Sequence, residues 1–101
     1  MSYTEIIHVH AYNDKCRKKA LDKAREISPG ASDRLESVSI FLRRDWETEI
    51  VILLTWEERP GGQTYSTEGL SIVECLSRFG WVAHSAWTLD QARKRQTIGS
   101  R

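Results

Sequence analysis

The chain has 101 residues, with ordinary apolar (40%) and charged (29%) fractions, which is the size and make-up of one globular domain. Its formal net charge of +1 provides no global field for nucleic acid or an anionic bilayer. No apolar run approaches the roughly 20 residues of a membrane span.

The opening Met1-Ser2-Tyr3-Thr4-Glu5 lacks the basic and apolar regions of a secretory signal, so a cytoplasmic protein is expected. Cys16 and Cys75 lie far apart with no CxxC neighbourhood. In a reducing compartment they read as two small buried thiols.

From Thr4 to Tyr12 the residues alternate. Ile7, Val9 and Ala11 fall on one side of a strand, and Ile6, His8, His10 and Tyr12 on the other. Asn13 and Asp14 then form a natural helix start. Cys16, Ala20, Ala24 and Ile27 recur at helical spacing, with Leu21 beside them, and the lysine-rich remainder reads as a solvated face. Ser28-Pro29-Gly30 ends that helix.

Leu35 to Arg43 alternates again, with Val38, Ile40 and Leu42 on one side. A short polar link, Arg44 to Thr48, leads into Glu49-Ile50-Val51-Ile52-Leu53-Leu54-Thr55-Trp56-Glu57. This holds the one continuous run of large aliphatic residues, and the short link makes the two strands a hairpin. Glu58 to Tyr65, with Pro60-Gly61-Gly62 inside it, is a loop. Ser66 caps a second helix whose apolar side is expected to be Leu70, Ile72, Val73, Leu76 and Phe79, with Gly80 as its terminator. Trp81 to Leu89 is the last strand, and residues 91–101 form a basic tail behind a single domain of residues 1–90.

The order βαββαβ predicts an α+β, ferredoxin-like fold with a four-stranded antiparallel sheet and two helices on one face. The first and third strands are then the inner pair. The other face is left uncovered, and it carries Ile6, His8, His10 and Tyr12. An apolar face of that size predicts a homodimer, two sheets packed face to face.

A βαββαβ chain of this length with Trp56 closing its third strand (Leu53-Leu54-Thr55-Trp56-Glu57) resembles the dimeric α+β barrel superfamily, in its antibiotic biosynthesis monooxygenase-like form. The resemblance covers about residues 3 to 90. It implies two sheets paired into a barrel and a small-ligand cavity between sheet and helices. Members of the family include cofactor-independent oxygenases of polycyclic aromatic substrates and haem-degrading enzymes. Asn13 lies near the asparagine that the haem-degrading members use. Those members also need a histidine in the second helix, and residues 66–80 contain none, so no haem and no other cofactor is expected.

His8, His10 and His84 are the candidate catalytic residues. A neutral histidine in an apolar cavity takes a proton from an acidic phenol or enol. If His84 shares the face of His8 and His10, three imidazoles converge as in open metal sites. No carboxylate flanks His8-Val9-His10 in sequence, so no metal is expected. Tyr12, Asn13, Trp56 and Trp87, with Trp81, are the candidate ligand-binding residues, since their rings could stack on an aromatic molecule. There is no aromatic RNA-binding signature, no copper loop and no phosphate loop. Two readings follow. The first is a non-catalytic dimeric module that binds a small ligand or partner. The alternative is a cofactor-independent, monooxygenase-like enzyme acting on a small aromatic substrate.

Overall fold

A computed structural model describes residues 3–32, 34–57 and 64–95. Its elements run β1 (Tyr3–Ala11), α1 (Asp14–Arg25), a single 3-10 turn (Pro29–Ala31), β2 (Leu35–Leu42), β3 (Glu49–Trp56), α2 (Thr67–Leu76) and β4 (Gly80–Thr88). All strand pairs are antiparallel, in the order β2-β3-β1-β4. This is the expected split βαβ topology, with the two most buried strands in the centre.

Strand register sorts the side chains. Ile7 pairs with Ile52 and His84, and Val9 with Ile50 and Val82. Ile7, Val9, Ile50 and Ile52 form one core with Ala20, Leu21 and Ala24 of α1 and Leu76 of α2, so both helices cover the same face. The aliphatic run Ile50–Leu54 is thereby split. Ile50, Ile52 and Leu54 are buried under the helices, while Val51 and Leu53 lie on the open face beside His8 and Ile6. The opposite face has no cover from any described element.

The caps follow the sequence closely. Asn13 Oδ1 accepts the Cys16 N–H at 2.8 Å, and Ser66 Oγ accepts the Gly69 N–H at 2.8 Å. Two expectations for α2 are corrected. Leu70 does not join the apolar side; it is half-exposed, and the residue that meets the sheet is Gly69. Gly80 is not the helix terminator, because α2 ends at Leu76 with Ser77 as its cap. Gly80 instead opens β4 opposite Ala11, where a Cβ would meet the His10 carbonyl oxygen and the Ala11 Cα. Its role is close backbone approach. The loop around Pro60-Gly61-Gly62 and most of the tail's end lie outside the described residues. Residues 91–95 are exposed and carry no regular element.

Candidate functional site

The polar groups of the sheet gather into two histidine–carboxylate clusters, one on each face. The helix-covered cluster is built on Glu5. Alternation from Ile7 places Glu5 on the core face, and it is fully buried. A buried carboxylate is costly unless its lone pairs are filled, and here each oxygen takes two donors. Oε1 accepts the Trp56 indole Nε1–H at 2.8 Å and the Ser66 hydroxyl. Oε2 accepts the Ser66 backbone N–H at 3.2 Å and pairs with His84 Nε2 at 2.8 Å. The carboxylate therefore sits at the positive end of α2, inside that helix's own cap. Tyr65 stacks on the His84 ring with centroids 4.0 Å apart, and its hydroxyl donates to the His84 carbonyl oxygen. Trp56 stacks on Tyr3 at 6.4 Å.

The open-face cluster is built on Glu49. Antiparallel pairing sets Glu49 directly opposite His10 and diagonal to His8. Glu49 Oε1 pairs with His8 Nε2 at 2.5 Å, and Oε2 pairs with His10 Nδ1. The Glu49 side chain is only 7% exposed, against 45% and 46% for the two histidines. Burial pushes its carboxyl up, but the hydrogen bonds and charges of His8 and His10 outweigh that and hold it below the usual carboxylate range. Trp46 lies edge-on to His10 at 6.0 Å, and Arg43 stands over Trp46 at 5.5 Å. Tyr12 meets Trp81 edge-on at 6.2 Å.

The three candidate histidines are thus divided. His8 and His10 share the open face. His84 pairs with Ile7 and lies on the other, so three imidazoles do not converge. The ligand-binding candidates divide as well. Tyr12 and Trp87 lie on the open-face side, with Trp81, while Trp56 is buried with its indole N–H spent on Glu5. Asn13 is spent on the α1 cap. Sequence reading missed Glu5 and Glu49, the two acids that organise these residues. The signal for Glu5 was its alternation with Ile7. The signal for Glu49 was the register that brings the start of β3 against the end of β1.

A groove of about 450 Å³ lies between the end of α1 and the start of α2, lined by residues that include Ile27, Leu35, Thr67, Ser71 and Ile72. It gives a small molecule room on the helix-covered side.

Solved structures share this architecture. A conserved protein of unknown function from Bacteroides thetaiotaomicron, described as a possible oxidoreductase, aligns with a TM-score of 0.68 at 13% identity, over 85% of this chain and 95% of that one. SnoaB, a cofactor-independent oxygenase from Streptomyces nogalater, aligns with a TM-score of 0.63 at 12% identity, over 98% of both chains. Rv0793 from Mycobacterium tuberculosis aligns with a TM-score of 0.64 at 20% identity, over 92% of this chain and all of that one. SnoaB and Rv0793 share with this chain the ferredoxin-like βαββαβ fold, four antiparallel strands with two helices on one face. No protein-family model matches the sequence, and no curated protein matches it. At 12 to 20% identity the likeness to these structures carries the fold and leaves the activity to be argued from the site. No helix among the described residues is long and apolar enough to cross a membrane.

Proposed function

We propose that this protein is a homodimeric small-molecule-binding module whose two sheets pack by their open faces. The observation that carries the dimer is the make-up of that face. Ile6, Val51, Leu53 and Phe41 occupy its middle, and Tyr12, Trp81 and Trp87 stand more than half exposed along its β4 side. Four strands of eight or nine residues span roughly 30 by 19 Å. With side-chain relief, that is of the order of the ~800 Å² per partner that a standard interface buries. The resemblance to a family of paired sheets supports the same occupant. Cys16 and Cys75, both free, fit the cytoplasmic setting that we assign to it.

Binding rather than catalysis is favoured because Trp56 and Asn13, the positions carried over from the family, are already engaged within the chain. The ligand site is the helix-side groove, and a small aromatic molecule suits the apolar walls that Ile27, Leu35 and Ile72 give it. The test is light scattering at micromolar concentration, paired with a thermal-shift screen of small aromatic compounds. The expected result is two chains and a ligand-dependent rise in melting temperature that Ile72→Asp removes. A stable monomer, or a rise unchanged in that variant, overturns the assignment.

One observation favours a cofactor-independent oxygenase as a second reading. His84 is oriented by the Glu5 carboxylate and roofed by Tyr65, which is the arrangement of a positioned general base. Oxygen uptake with an acidic polycyclic phenol, abolished in His84→Gln and retained in His8→Gln, would establish it. No uptake above background would leave the binding module.

A further inference from the structure

The two clusters differ in what their carboxylates have left to give. Glu5 receives two donors on each oxygen and faces one imidazole, so it is closed to any further ligand. Glu49 takes one imidazole on each oxygen, and both imidazoles come from an H-x-H pair on the neighbouring strand. Alternate residues of a strand point the same way, and the residue opposite on the next strand points with them. His8, His10 and Glu49 therefore project two nitrogens and a carboxylate into one volume. That donor set, two imidazoles and one carboxylate with positions left open, suits a first-row divalent transition-metal ion.

We propose that His8 Nε2, His10 Nδ1 and Glu49 form a binding site for a divalent transition-metal ion of the zinc or ferrous class. As they stand, no three His, Cys, Asp or Glu side chains among the described residues are placed to hold a metal ion. In this cluster the donors clasp one another instead. Donors around a tetrahedral zinc ion lie roughly 3.3 Å apart, given bonds of about 2.0–2.1 Å. The His8–Glu49 contact is 2.5 Å and the His10–Glu49 contact is shorter still, so the clasp must open by about 1 Å or more. The exposure pattern allows this. Glu49 is anchored, while both imidazoles are nearly half exposed and free to swing outward. Across the strands, His8 is flanked by the small Ala83, and a recess of about 190 Å³ beside the two rings is lined by Trp81, Val82 and Ala83. That recess supplies space for a water or another ligand at the open coordination positions.

Without an ion, both imidazoles hold their protons on the nitrogens that face Glu49. With an ion, neutral His8 carries its proton on Nδ1 and neutral His10 carries it on Nε2, and Glu49 stays ionised. Metal binding is thus a tautomer exchange that needs no redox step. All three donors belong to one chain, but they lie on the face proposed above for the dimer contact, so a packed partner must leave the recess beside Ala83 open. Light scattering reports separately whether the dimer exists.

The experiment uses tag-free, chelator-treated full-length protein titrated with Zn²⁺ and Co²⁺. Calorimetry is expected to give one ion per chain. The Co²⁺ complex should absorb as a nitrogen- and oxygen-ligated ion without a thiolate charge-transfer band. Histidine ring ¹⁵N spectra should show His8 Nε2 and His10 Nδ1 moving on Zn²⁺ addition while His84 stays in place. Each of His8→Gln, His10→Gln and Glu49→Gln should weaken binding at least tenfold, and Cys16→Ser should not. The ¹⁵N spectrum needs no variant, so it decides the matter even if Glu49→Gln folds poorly. Absence of binding, a thiolate band, or ¹⁵N shifts at His84 alone would each overturn the site.

Discussion

Replacing Gly69 with alanine tests the Glu5 cluster, because two principles predict opposite signs. Gly69 lies in the first turn of α2, and alanine is better than glycine there by about 1 kcal/mol on helix propensity alone. The structure predicts a loss. A Cβ at residue 69 would lie near Glu5 Oε2, 2.9 Å from Glu5 Cδ and 3.0 Å from Ser66 Oγ. A free carboxylate would swing aside at little cost, but this one is held by Trp56, Ser66 and His84 and is wholly buried. Moving it breaks at least the Ser66 N–H and His84 contacts. Hydrogen bonds to a charged group contribute about 1.5–3 kcal/mol each, so two lost bonds less the propensity gain leave a net cost of about 2–5 kcal/mol. Urea denaturation at fixed protomer concentration should show the midpoint falling by roughly 1–3 M, given the slopes usual for small domains. The exposed Ser71→Ala change in the same helix serves as control and should be neutral or slightly stabilising. A Gly69→Ala protein as stable as wild type, or more so, would refute the reading that Glu5 is locked beneath the helix start.

Three further outcomes are expected. Leu76→Ala removes a fully buried side chain from under α2 and should cost about 2–5 kcal/mol, read as a shift in thermal midpoint. Leu53→Lys places a charge in the middle of the open face beside Ile6 and should convert the dimer to a monomer by light scattering, with the far-ultraviolet circular dichroism unchanged. Glu49 has a depressed folded pKa, so the stability it adds is present above the unfolded value of about 4.5 and is lost as pH falls through the folded one. Wild type should therefore lose stability below about pH 4.5, and Glu49→Gln should flatten that part of the acid profile. An identical acid limb in both proteins would show that the carboxylate contributes nothing there.

The topology was legible because each element carried its own period. Alternation in β1 and β2, helical spacing in α1, and the two caps Asn13 and Ser66 agree with one another and with the sheet order. Leu70 turns out of the core because of what its neighbour meets. A helix of ten residues has room for only a few core contacts, and Gly69 takes the one nearest Glu5, which turns Leu70 outward. The site was less legible because its chemistry is made by pairing between strands. His84 sits seven residues from Ser77, and nothing in that interval fixes its parity. Where β4 begins decides its face, and β4 begins at Gly80 because only glycine tolerates the approach of the His10 carbonyl there. The acid that joins His8 to His10 is 39 residues from His10 in sequence, so no local motif could contain it.

Protonation at the open face also changes meaning once Glu49 is in place. With His8 and His10 alone, protonated rings would put like charges into the proposed dimer interface and weaken it. Glu49 lies between the rings, so the first proton added meets an anion already positioned to receive it. Only a second proton leaves the cluster with net positive charge. Neutralising Glu49 removes that anion, so the proposed dimer should weaken as pH falls through the lowered Glu49 range. Light scattering of wild type and Glu49→Gln from pH 7 to pH 4 separates the cases. The variant, having no anion to meet the first proton, should dissociate at higher pH than wild type. Dissociation at the same pH in both would mean that the cluster lies outside the contact, and that the apolar middle of the face and its aromatic rim hold the two sheets together.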